Sequence, residues 1–256
     1  SENPVYAHKC AVLLARIAEF YERFDYRTQA YHNGAWPAGI NGRILDYIWE
    51  NGVISNFALA YDAIWPALDQ DAELTGFLAA HGVADVRGHI ETRMLHVMAR
   101  DIMRGFIKGN TGMHQSALAR LAIVLANDDA QAGPTTAEMR DWLLLGDGDV
   151  EYLLWNGFYR DGHGGESSPS YSTGWCTGFY EVARLLPGLG VDIWANPKLK
   201  KMADIGLDLT VAGEFTPSIG DSGSILGSRR VGWSPVLQGP AFRHFGDPRH
   251  AKALTL

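Results

Sequence analysis

The chain has 256 residues, 46% apolar and 20% charged, with a formal net charge of −7. This is the balance of a globular protein with a sizeable core, and its acidity argues against nucleic acid as a general partner, since phosphate binding needs a basic face. No segment approaches the roughly 18 consecutive apolar residues of a membrane span. Cys10 and Cys176 supply neither a disulfide framework nor a metal pair, so no metal and no cofactor are expected.

Helical periodicity dominates from the start. Cys10, Leu14, Ile17 and Tyr21 mark an apolar stripe over roughly 5–24. A turn-rich stretch, 33–42, leads to a second stripe through Leu45, Ile48, Phe57, Tyr61 and Ile64. A short helix near 69–80 is predicted to stop at His81-Gly82, because glycine accepts the left-handed conformation of a helix end. Val86 to Phe106 and Met113 to Leu125 continue the pattern, and further helices are predicted near 136–157, 173–186 and 198–212. Beyond Thr210 the chain turns Gly-, Ser- and Pro-rich to Gly239, with ambiguous period-two stretches near 208–216 and 225–238. The pattern predicts an all-α protein of paired antiparallel helices. It forms either an α/α toroid or a superhelical array, as a single domain over 1–256 with a loop region near 213–239. No fixed-length repeat supports a solenoid. The chain begins Ser-Glu-Asn-Pro and stops within a helical pattern, so it reads as a processed form or a fragment.

Two polar segments interrupt this helical background. Lys108-Gly-Asn-Thr-Gly-Met-His-Gln115 places Asn110 and His114 four residues apart at a helix start, where Asn110 could also cap. Asp161-Gly-His-Gly-Gly-Glu-Ser-Ser-Pro-Ser-Tyr171 presents Tyr171 behind a loop carrying His163 and Glu166, either of which could perturb the phenol. An amide, an imidazole and a phenol together suit removal of a weakly acidic proton beside a carboxylate. Arg43, Glu50 and Asn51 form a third polar group that could grip a substrate or be a solvated helix face, and Arg104 and Lys108 could add positive field. Gln115 closes the first segment as a further binding candidate. Gly220-Asp-Ser-Gly-Ser224 matches a protease nucleophile loop, but such enzymes are β-barrels and the helical context excludes that reading. His89 and His96 lack a third ligand at zinc spacing.

With these residues in view, the chain resembles the heparinase II/III-like polysaccharide lyases, a group that includes related alginate lyases. The resemblance rests on Gly42-Arg-Ile-Leu-Asp-Tyr-Ile-Trp-Glu50, on 108–115 and on Glu166-Ser-Ser-Pro-Ser-Tyr171, with Gly220-Asp-Ser-Gly223 a weaker fourth block. It implies an α/α toroid followed by a β-sandwich that this chain lacks, a secreted or periplasmic location, and an anionic uronic-acid polysaccharide as substrate. Asn110 and His114 would then neutralise the uronate carboxylate and Tyr171 would be the catalytic acid, for some substrates also the base. Many relatives place Asn and His side by side, whereas here they stand four apart. A glycoside hydrolase using carboxylates among Glu50, Asp161, Glu166 and Asp221, or a glycan-binding domain without turnover, are the alternative expectations.

Overall fold

The structure, a computed structural model, describes residues 3–26, 42–166, 168–222, 230 and 232–255. The turn-rich 33–41, most of 225–231, Ser167, Gly223 and Ser224 lie outside the described residues. Among the described residues the protein is all-α, with two isolated antiparallel bridges, Phe158 with Gly164 and Val211 with Phe215, and no sheet. None of these helices is long and apolar enough to cross a membrane.

The residues divide into two compact units, 1–109 with 117–142, and 110–116 with 143–256. The first contains α1 (Pro4–Tyr21), α2 (Tyr47–Ile64), a 3-10 turn (Trp65–Gln70), α3 (Ala72–Ala80), α4 (Val86–Ile90), a π turn (Glu91–Leu95) and α5 (His96–Met103). Asn3 caps α1, with Pro4 at its first position, where a missing N–H costs nothing. Asp46 caps α2, accepting from Ile48 and Trp49 N–H at 3.1 and 3.2 Å. The apolar stripes meet in a core that includes fully buried Tyr21, Ile54, Tyr61, Met94 and Met98. Each such side chain contributes about 1.5–3 kcal/mol on leaving water. As the spacing predicts, α3 ends at His81, and Gly82 takes φ +84°.

The second unit holds α8 (Val150–Asn156), α9 (Pro169–Leu185), α10 (Pro197–Asp208), α11 (Pro235–Phe245) and α12 (Pro248–Ala253). Helices α6 (Met113–Leu125) and α7 (Thr136–Leu145) have residues in both units. The helix expected over 136–157 is two helices, α7 and α8, because Gly146-Asp-Gly-Asp149 breaks it and Asp149 adopts φ +53°. The helix expected from 173 begins at Pro169, capped by Ser168 Oγ on Tyr171 N–H. Tyr171 therefore sits in the first turn rather than ahead of it. α11 begins inside the stretch read as loop, where Pro235 and Gly239 look like breakers, and runs on past Pro240. Pro235 occupies the first helical position behind the Ser234 cap, and Gln238, Pro240 and Ala241 are buried, so packing overrides the propensity.

Candidate functional site

Asn110, His114, Gln115, His163, Glu166 and Tyr171 all belong to the second unit. The feature that organises them is a glycine–glycine contact. Gly112 takes φ +91°, and a Cβ there would lie 2.5 Å from the carbonyl carbon of Gly178. A Cβ at Gly178 would lie 3.0 Å from Gly112 Cα. Both atoms on the far side are backbone, so only two glycines allow the Asn110 loop to lie directly on α9. Gln115 secures the same loop: its Oε1 accepts from Gly112 N–H at 2.9 Å and its Nε2 donates to Gly148 O at 3.1 Å. Its amide is engaged on both sides, so Gln115 shapes the loop instead of facing a ligand.

The capping reading of Asn110 does not hold. Gly112, not Asn110, precedes α6, and it is the Asn110 carbonyl that accepts from Met113 N–H at 2.9 Å. The half-buried Asn110 amide takes no hydrogen bond from another described residue. His114 is 5% exposed in the first turn of α6. Because Asn110 lies outside the helix, the two do not share a helical face in the i, i+4 sense.

On α9, Tyr171, Gly174 and Gly178 occupy positions i, i+3 and i+7 of one helix face. Tyr171 is exposed, and Gly174 has no atom within 4 Å of where its Cβ would be. Gly174 is thus an open spot on the helix between Tyr171 and the Gly112 contact, which lie about 10 Å apart along the helix axis. Beside it, Trp175 packs beneath Gly164 and Gly165, and its buried indole N–H has no hydrogen-bond partner among the described residues. Such an orphaned donor calls for a ligand or a bound water. The sequence reading missed Trp175, although a tryptophan in a helix facing a Gly-Gly loop was a visible signal.

The loop before α9 folds back as a tight hairpin. Gly165 N–H donates to Gly157 O at 3.0 Å, and Gly164 N–H donates to Ser172 Oγ at 2.7 Å, fastening the loop to the turn that carries Tyr171. His163 Nδ1 lies 2.8 Å from Gly164 O. A carbonyl only accepts, so Nδ1 carries the hydrogen and the neutral ring presents its lone pair at Nε2. The carboxylates of Asp221 and, less strongly, Glu166 push the pKa of the Tyr171 phenol above the ordinary tyrosine value. Two negative charges disfavour tyrosinate. The expectation that Glu166 could perturb the phenol is met in one direction, toward the protonated form.

The remaining candidates belong to the first unit, where 42–51 is a self-contained folding device. Gly42 at φ +60° makes the turn, since a Cβ would lie 2.2 Å from Leu45 O. Glu50 is fully buried and accepts from Tyr21 OH at 2.8 Å and from Ile44 and Leu45 N–H at 3.0 and 2.7 Å. Burial raises its pKa, partly offset by these donors. Arg43 pairs with Asp101 at 2.6 Å and donates to Glu22 O at 2.7 Å, and Asn51 Nδ2 donates to Tyr47 and Ile48 carbonyls. These contacts give Arg43, Glu50 and Asn51 structural work in place of the substrate binding expected. Arg104 and Lys108 are exposed in the same unit.

One cluster has the composition of a cation site. Ligand atoms of Asp204, Asp247 and His250 lie within 4.8 Å of one another. Lys200 Nζ, however, sits 2.8 Å from Asp204 and 2.9 Å from Asp247, and Arg249 reaches both carboxylates. The charge a metal would bring is already supplied by two side chains, and the cluster ties α10 to α12. The chain matches no family profile, no curated protein and no solved structure.

Proposed function

We propose that the protein is a polysaccharide lyase acting on uronic-acid-containing chains by β-elimination. The observation that carries this reading is the Gly112–Gly178 contact, which lays the Asn110 loop on the helix whose first turn carries Tyr171, with open space at Gly174 between. A proton at C5 is barely acidic while the adjacent carboxylate keeps its full charge. Hydrogen bonds from the Asn110 amide and the His114 ring would favour the enolate-like transition state, where more charge falls on those oxygens. Tyr171, held protonated, suits the acid that delivers a proton to the departing O4. His163, with Nε2 as its lone-pair nitrogen on a loop fastened to the same helix turn, suits the base.

The test is incubation with alginate, heparan sulfate and ulvan, followed by ultraviolet absorbance of the 4,5-unsaturated end. Absorbance should rise with at least one of these, and no rise with any uronan rejects the reading. A second reading, a glycoside hydrolase, draws on the two carboxylates, Asp221 and Glu166, that act on one phenol. It requires products without a double bond, with activity lost in Glu166→Gln and kept in Tyr171→Phe.

A further inference from the structure

Tyr152, Trp155 and Tyr159 fall within eight residues of the second unit, and each ring is more than half exposed. Single exposed aromatics are ordinary, but a group of this density marks an interaction surface. Tyr152 and Trp155 are neighbours three residues apart on α8, whose buried side is Val150 and Leu154. Tyr159 follows in the hairpin that carries His163. Its N–H donates to His163 O at 2.8 Å, and the two rings are nearly parallel, with 20° between planes and 6.5 Å between centroids. The Tyr159 ring thus stands beside the imidazole assigned as base.

The same hairpin is pressed onto α10 and gathers positive charge. Gly162 takes φ +97°, and a Cβ there would lie 2.3 Å from the Lys201 carbonyl carbon, so glycine is required for the approach. Lys198 Nζ donates to Phe158 O and Tyr159 O, both at 2.8 Å, and Lys201 Nζ donates to Arg160 O at 2.9 Å. Those acceptors are carbonyls, which leave the charge of each ammonium uncancelled. With exposed Arg160, three cations flank Tyr159 in a chain whose net charge is −7. Asp161, whose Oδ1 accepts from His163 N–H at 3.0 Å, offsets one of them.

We propose that this hairpin is a subsite for an acidic polysaccharide, where Tyr159 takes the face of one sugar ring and Arg160, Lys198 and Lys201 take the carboxylates. Trp155 and Tyr152 offer further faces to the same polymer. This inference rests on the lyase reading and adds to it the place of sugar units beyond the one that reacts. The C–H faces of a pyranose are slightly positive and suit the negative face of an aromatic ring. Ammonium and guanidinium groups form charge-assisted hydrogen bonds with carboxylates. A polyuronate presents both features at every unit, whereas a neutral glucan presents the first alone. The scaffold is also fixed before any ligand arrives, since Gly162 and the two lysines hold the hairpin on α10. Little ordering is left for binding to oppose.

The experiment is calorimetric titration of the full chain, in a Tyr171→Phe background so that no turnover intrudes. The probes are hexasaccharides and disaccharides cut from alginate, heparan sulfate and ulvan. At least one hexasaccharide should bind about 10-fold or more tightly than its disaccharide, and about 10-fold or more tightly than a neutral glucan hexasaccharide. Tyr159→Ala should weaken the hexasaccharide by about 5- to 10-fold, the worth of an aromatic face, and Tyr159→Phe should restore it. Lys201→Gln should weaken it by about 2- to 5-fold, as expected for one exposed charge. Equal hexasaccharide affinity with and without the Tyr159 ring overturns the proposal. So does a neutral glucan bound as tightly, or no binding of any uronan. Failure of the lyase reading is distinct: the hexasaccharide binds with this pattern, yet the wild-type chain forms no unsaturated product. If Tyr159→Ala does not fold, the double variant Arg160→Gln with Lys201→Gln decides, and an unchanged hexasaccharide affinity there overturns the proposal.

Discussion

The blocks 42–51 and 163–171 are both rich in charged and amide side chains beside a glycine turn, yet they use them in opposite ways. In the first, Glu50 accepts from three internal donors, Arg43 grips Asp101, and the Asn51 amide returns to its own helix. In the second, Tyr171 is exposed, the His163 ring is fixed through one nitrogen only, and Trp175 keeps an orphaned N–H nearby. Residue type does not separate a folding device from a site; buried Asn51 Oδ1 lacks a partner among the described residues too, and what separates the two blocks is exposure, with Glu50 and Asn51 buried and Tyr171 at the surface.

The comparison is tested most severely at Tyr171. Tyr171→Phe should lower turnover by about 10²–10⁴-fold, the usual contribution of a positioned acid, while thermal unfolding stays within about 1 kcal/mol of wild type, as expected for an exposed side chain. Next in size is the glycine contact. Gly112→Val should destabilise by about 3 kcal/mol or more in denaturant unfolding, because it combines a positive φ with a clash against backbone that cannot move aside.

In the closed block, Glu50→Ala should cost about 2–3 kcal/mol, leaving the Tyr21 hydroxyl and two N–H groups without their acceptor. Its folded fraction should bind uronate oligosaccharides as wild type does. A weakened intrinsic affinity in Glu50→Ala would blur the distinction between the blocks. Gly174→Ala probes the reverse case. With empty space at its Cβ position, it should stabilise α9 by up to about 1 kcal/mol and still weaken ligand binding if that space is where the sugar lies.

The smallest effect expected is a pH dependence from the first unit. His96 is buried, with Gly133 against its ring, and desolvation lowers its pKa, with the Arg100 charge adding to this. The unfolded chain therefore takes up a proton first, near the ordinary value of about 6.5. Stability is present above that pH and falls as pH drops from there through the lower folded value. His96→Gln should flatten this slope in unfolding midpoints measured between about pH 7 and 5.

Much of the helical layout could be read from the 3.6-residue spacing of apolar residues, as at α1 and α6, and from the glycine that follows α3. It failed where local chemistry and packing diverge. α11 carries Pro240 internally yet stays helical because its buried face is held, and 136–157 is split by an Asp149 whose positive φ no periodicity encodes. Tyr171 and His163 stood out through their loop. The charges around them did not, because Asp221 lies fifty residues on and its segment is held at the start of α9 by serine contacts that spacing along the chain does not record. Glu50 and Gln115 were misread for the same reason: long-range acceptors and donors decide whether a polar side chain is engaged, and spacing along the chain does not record them.

The most direct test of the open face is amide chemical-shift mapping with a uronate hexasaccharide added to the 15N-labelled chain. The largest shifts are expected at Asn110, Thr111, His163, Tyr171 and Gly174, with the 42–51 block quiet. Shifts centred on 42–51, or none along α9 when the sugar is saturating, would contradict the assignment.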